Sequence, residues 1–110
     1  MALLDQAIEA YREALEVYTK ADLPQSWAGT QCNLGIVLTD EGERATGEKA
    51  TVLFRQAVDA FEKALEVQTK TDLPQDWART MRNLARAHKD LGDAASAGAE
   101  SKAADEVDSQ

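Results

Sequence analysis

Cysteine, histidine, proline and glycine are all scarce in this chain, and each scarcity removes a class of protein. A single cysteine, Cys32, cannot close an intrachain disulfide, and with one histidine, His88, there is no Cys/His set for a structural zinc site. Two prolines and six glycines in 110 residues leave long stretches without a helix breaker. No run approaches the ~18 apolar residues a membrane span requires, and Asp5 and Glu9 interrupt the N-terminus before an apolar run can develop. A cytoplasmic location is therefore expected. Gly42 and Gly47 are not followed by Lys-Ser/Thr, so no phosphate loop is present.

What is there favours helix. Alanine, the best helix former, occurs twenty times. Twenty acidic against twelve basic residues give a formal charge of −8, which repels phosphate backbones and anionic membranes unless it is unevenly spread. Neither nucleic acid nor membrane is expected as a partner.

Displacing the sequence by 50 residues lays 4–42 over 54–92 with 20 of 39 positions identical. The shared block includes Ala14, Leu15, Glu16 and Val17, then Asp22, Leu23, Pro24, Gln25, Trp27 and Ala28, against their counterparts from Ala64 to Ala78. Pro and Trp kept in register mark a tandem duplication.

Within each unit the apolar period is helical. Leu4, Ala7, Ile8, Tyr11, Ala14 and Leu15 follow i, i+3, i+4, i+7 spacing, as do Phe54, Ala57, Val58, Phe61, Ala64 and Leu65. Asp22 to Gln25 and Asp72 to Gln75 read as helix starts, with an aspartate to accept first-turn N–H groups and a proline where no N–H is missed. The second helix of each unit has a core face of Trp27, Thr30, Gln31, Leu34 and Leu38, or Trp77, Thr80, Met81, Leu84 and Leu91. Gly42 and Gly92 are expected as left-handed helix ends. The pattern predicts an all-α repeat region over 1–92 with helices at about 2–20, 24–41, 46–70 and 74–91, the third being the longest. Residues 93–110 form an acidic, alanine-rich segment, read as a C-terminal cap helix or a frayed tail.

These residues resemble the tetratricopeptide repeat family, whose helix-turn-helix signature reads W-x2-L-G-x2-Y and then A-x3-F-x2-A. The second part is matched twice, by Ala7, Tyr11 and Ala14 and by Ala57, Phe61 and Ala64. The first is matched in part, by Leu34, Gly35 and Leu38 and by Leu84, Ala85 and His88, with Gln31 and Met81 where the family has Trp. The period of 50 exceeds the family's usual 34 because both helices are lengthened. The chain is similar to the long-period arrays of bacterial multidomain signalling proteins, which often lie beside nucleotidases or proteases. The resemblance implies antiparallel helix pairs stacked as a short α-solenoid that serves as an interaction scaffold. The chain starts in mid-unit, so it is expected to be a fragment of a longer array or to pair its open end with a second copy, with helix exchange as one route.

No catalytic constellation is legible, and no enzyme activity, cofactor or metal is expected. Cys32 has no histidine or cation beside it in sequence, and His88 takes the place of Leu38 at the margin of the packed face. Acid pairs such as Glu13/Glu16 and Asp40/Glu41 read as solvated decoration. Trp27 and Trp77, in register, read as packing between units rather than as a ligand box.

One pattern stands out. Arg79, Arg82, Arg86 and Lys89 fall at i, i+3, i+7 and i+10, where the first copy has Gly29, Cys32, Ile36 and Thr39. Residues 74–91 are thereby net +2 within an acidic chain, and the following 93–110 are net −4. In tetratricopeptide domains the first helix of each unit lines a concave peptide groove. The resemblance thus implies groove positions at Gly29, Cys32, Asn33, Ile36 and Thr39, together with Arg79, Arg82, Asn83, Arg86 and Lys89. Guanidinium groups grip carboxylates bidentately, and asparagine amides hold a peptide backbone. An acidic peptide bound mainly by the second unit is one expectation; a cationic face that only solubilises the array is the other. The acidic tail is expected to compete for the same arginines.

Overall fold

The computed structural model describes residues 2–92, which form four helices: α1 (Ala2–Val17), α2 (Pro24–Arg44), α3 (Gly47–Leu65) and α4 (Pro74–Asp90). The chain is all-helical, with no strand among the described residues. The segment 93–110, expected as a cap helix or frayed tail and as a competitor for the arginines, lies outside the described residues.

The organising element is α2, which packs on α1, α3 and α4, whereas α1 and α3 do not pack directly on each other. Its sequence explains this role. No charged residue occurs from Pro24 to Thr39, so most of its circumference can be covered. Ala28, Cys32, Leu34, Val37 and Leu38 are all buried, together with the polar Thr30, Gln31 and Thr39. α4, at the equivalent place in the repeat, carries four cations and is buried mainly along Ala78, Thr80, Leu84, Ala85 and Ala87.

The tightest interface is the α2–α3 hairpin, closed by Ala45 and Thr46. Two aromatic rings of α3 lie on two glycines of α2: Phe61 on Gly35 and Phe54 on Gly42. The pairing is antiparallel, since moving seven residues up one helix moves seven down the other. Ala57 and Ala60 fill the positions between, and Ala64 continues the buried line past Phe61, letting the helices approach closely.

Several local expectations are corrected. Gly42 does not end α2; it is buried inside the helix beneath Phe54, and the helix runs on to Arg44. The left-handed glycine of this hairpin is Gly47, with φ 62°, while Gly92 does follow α4 with φ 88°. α3 stops at Leu65 rather than at 70, making α2, at 21 residues, the longest helix. Here the chain tightens into i→i+3 bonds, the Glu66 and Val67 N–H groups donating to the Lys63 and Ala64 carbonyls at 3.1 Å. α1 likewise ends at Val17 rather than at 20.

The aspartates before the prolines do not cap. Leu23 and Leu73 occupy the N-cap positions without side-chain hydrogen bonds. Instead the Asp22 and Asp72 N–H groups donate to Thr19 Oγ1 at 3.2 Å and to Thr69 Oγ1 at 3.1 Å, bending each connection before its proline. The duplication thus preserves a turn whose hydroxyl acts from the residue three places earlier.

Candidate functional site

The cationic stripe lies on α4, with Arg79, Arg86 and Lys89 exposed and Arg82 and Asn83 half-buried. On α2, Asn33 is exposed and Ile36 half-buried. Cys32 and Thr39, implied by the resemblance as groove positions, are instead buried against neighbouring helices, because α4 packs over that side of α2.

Arg86 does not point at an open groove. Its Nε donates to Glu43 Oε2 at 2.9 Å and its Nη2 to Asp40 Oδ1 at 2.8 Å, with a further bond to Glu43 Oε1. The bidentate grip raises the Arg86 pKa and holds Glu43 below the usual carboxylate range. Partial burial, then a hydrogen bond with Glu43, pushes Asp90 up to about 6. Arg86 therefore ties the end of α4 to the end of α2. Arg79 stands 3.9 Å from Asp76, a loose i, i+3 pair.

Cys32 is one end of a buried polar relay centred on Thr80. Thr80 Oγ1 lies 2.5 Å from Gln68 Oε1 and 3.4 Å from Cys32 Sγ. Thr80 has one hydroxyl proton and Gln68 Oε1 can only accept, so that proton goes to Gln68 and the Cys32 thiol donates to Thr80. The three groups join α2, α4 and the turn after α3, and their burial gives Cys32 a structural role.

Each tryptophan is half-buried, with a lysine above its ring: Lys20 Nζ 5.7 Å from the Trp27 centroid and Lys70 Nζ 5.5 Å from that of Trp77. Lys20 also pairs with Glu66 at 2.6 Å, bridging the first connection to the end of α3. Trp27 packs on the main core, and Trp77 packs on Ala78 with Met81.

A surface not visible in the spacing of any one helix lies on the other side of α2. Because α1 and α3 both rest on α2 without meeting, a cleft of about 510 Å³ opens between them. Its lining is Arg12 and Leu15 from α1, Gln31, Leu34 and Leu38 from α2, and Val52, Arg55, Gln56, Asp59, Ala60 and Lys63 from α3. Lys63 pairs with Asp59 at 3.0 Å, whereas Arg12 and Arg55 form no ion pair among the described residues. The available hints were a polar Gln31 on an apolar face and arginines at 12 and 55 where the repeat has Glu62 and Asp5.

A third feature is Glu41, buried at 3% exposure near Asp5; a hydrogen bond with Asp5, then burial, raises its pKa. No group of side chains suited to holding a metal ion, and no helix long and apolar enough to cross a membrane, occurs among the described residues. No family model matches the chain, and neither a curated protein nor a solved structure matches it significantly.

Proposed function

We propose that this chain is a noncatalytic protein–protein interaction module of tetratricopeptide-like build. The observation that carries this reading is the repetition of the sequence duplication in the packing. α1 on α2 and α3 on α4 are joined by the same Thr-anchored turn, the same proline start and the same lysine-over-tryptophan contact. α2 and α4 touch, while α1 and α3 stand apart, as in an array with inner and outer helix rows. Such an array offers long faces for peptides and no enclosed reaction site.

The face proposed for acidic peptides carries Asn33 and Ile36 of α2 with Arg79, Asn83 and Lys89 of α4, flanked by Arg82. Arg86 serves it indirectly, by fixing α4 against Asp40 and Glu43. The test is titration of a labelled acidic peptide into the chain and into an Arg79→Glu/Lys89→Glu variant. At least a tenfold loss is expected from removing charge-assisted contacts of about 1.5–3 kcal/mol. Unchanged affinity in a variant with intact helicity counts against this face.

A structural self-assembly element is the second reading, favoured by one observation. Leu3 and Val17 are 81% and 69% exposed on α1, and with exposed Ala10 they form a line at seven-residue spacing. Pairing of that line with a second copy would cover it. Sedimentation of the chain against Leu3→Lys/Val17→Lys decides this: a dimer lost in the variant supports it, and a monomer at all concentrations rejects it.

A further inference from the structure

We propose that the cleft between α1 and α3 is a second docking site, one that takes an acidic peptide segment of a partner protein with a large apolar side chain. The site is independent of the α2–α4 face and lies on the other side of α2.

The duplication supplies the comparison that identifies it. If the cleft were only a seam between repeated helices, its polar residues would follow the repeat. Gln56 and Asp59 do, matching Gln6 and Glu9, but Arg12, Gln31, Arg55 and Lys63 stand where the other copy has Glu62, Met81, Asp5 and Glu13. All four departures meet in one cleft.

Lys63 is paired with Asp59, but each of the other three departures leaves a group unsatisfied by the chain itself. Gln31 is 6% exposed, yet its amide makes no hydrogen bond among the described residues. A buried amide without a partner is costly, and a methionine at the same place in the other copy shows that the fold does not require one. Arg12 on one wall and Arg55 on the other have no carboxylate partner among the described residues. Between them Leu15, Leu34 and Val52 supply apolar lining, with Val52 largely open to solvent.

These elements specify the occupant. Two guanidinium groups facing across an apolar trough select carboxylates, each able to accept a bidentate pair. The trough selects a leucine-sized side chain, and an amide that can both donate and accept selects a peptide group.

The probe is a short, fluorescently labelled acidic peptide with leucine at every third or fourth position. Two twins accompany it, one with lysine for each acid and one with serine for each leucine. Anisotropy titration of the Arg79→Glu/Lys89→Glu chain, in which the α2–α4 face no longer contributes, is expected to show binding of the first peptide and at least tenfold weaker binding of either twin. Adding Arg12→Glu/Arg55→Glu to that chain should lower affinity at least tenfold, the loss of two charge-assisted contacts. Gln31→Met, which installs the residue of the other copy, should weaken binding severalfold, while Arg79→Glu/Lys89→Glu leaves the part bound in the cleft unchanged. On the unaltered chain, the probe should shift the methyl resonances of Leu15, Leu34 and Val52. Full-strength binding by the Arg12/Arg55 variant, equal binding of the lysine twin, no binding of any probe, or no shift at those methyls overturns the proposal. A dimer of the chain that the probe dissociates assigns the cleft to a second copy and overturns it as well.

Discussion

Phe61 lies directly on Gly35: a β-carbon at residue 35 would sit 2.5 Å from Phe61 Cε1. The ring has no room to retreat, being fully buried in the main core. Gly29, six residues earlier on the same helix, has nothing within 4 Å of a β-carbon built there. Alanine is favoured over glycine in helices by about 1 kcal/mol, so Gly29→Ala is expected to stabilise by about 0.5–1 kcal/mol. Gly35→Ala should instead destabilise by about 1–2 kcal/mol, because overpacking outweighs propensity. Urea unfolding midpoints of the two variants should move in opposite directions.

The Thr80 relay yields a second expectation. Thr80→Val keeps the volume but removes the donor to Gln68 Oε1 and the acceptor for the Cys32 thiol. Leaving a buried acceptor unmet costs about 1–3 kcal/mol, whereas replacing both partners by apolar groups is nearly neutral. Thr80→Val should therefore be clearly less stable than the parent, and Thr80→Val/Gln68→Leu should recover most of the loss. Cys32, fully buried, reports this directly: its labelling by a thiol reagent should quicken in the single variant and slow again in the double one.

How far these features were legible in the sequence follows from where their causes lie. The helix starts at Pro24 and Pro74 and the core positions Leu34, Leu38 and Leu84 depend on periodicity within one segment, and periodicity displays them. Gly42 misled because a glycine needed for φ > 0 and a glycine needed for lack of a β-carbon look alike; the ring that decides is Phe54, on another helix. Asp22 and Asp72 misled because the N-cap falls one residue later, on Leu23 and Leu73, and the turn is held by Thr19 and Thr69 instead. The arginine stripe was visible as spacing, but the carboxylates that occupy Arg86 belong to Asp40 and Glu43, across a helix interface. The α1–α3 cleft is assembled from three helices, and only the breaks in the repeat at Arg12, Gln31 and Arg55 hinted at it.

Glu41 gives a third expectation. A buried carboxyl whose pKa is raised by Asp5 and by burial is destabilising once ionised. The folded state holds its proton at pH values where the unfolded state, near 4.5, has released it, so this penalty grows as pH rises above 4.5. Glu41→Gln keeps the shape and removes the charge. It should raise the thermal midpoint at neutral pH and change little near pH 4; a loss at neutral pH would show that the carboxylate is held by a favourable contact instead.

The opposite shifts of Glu43 and Asp90 make the α2–α4 junction pH-dependent. Glu43, held low by Arg86, contributes stability that is present above its ordinary 4.5 and is lost as pH falls through its lower folded value. Asp90 has the reverse sign. Its pKa rises from 3.8 to about 6, so the folded state binds more protons than the unfolded one between those values, and stability falls as pH climbs through that window. Asp90→Asn removes the penalty while retaining a donor for Glu43. Because Asp90 is exposed to solvent, screening limits the gain to about 1 kcal/mol or less. Urea unfolding at pH 7.5 should show that gain, and unfolding at pH 4 should show little of it. An equal gain at both pH values would mean that asparagine improves the end of α4 for reasons unrelated to charge, and that the Asp90 carboxyl is not perturbed by its neighbours.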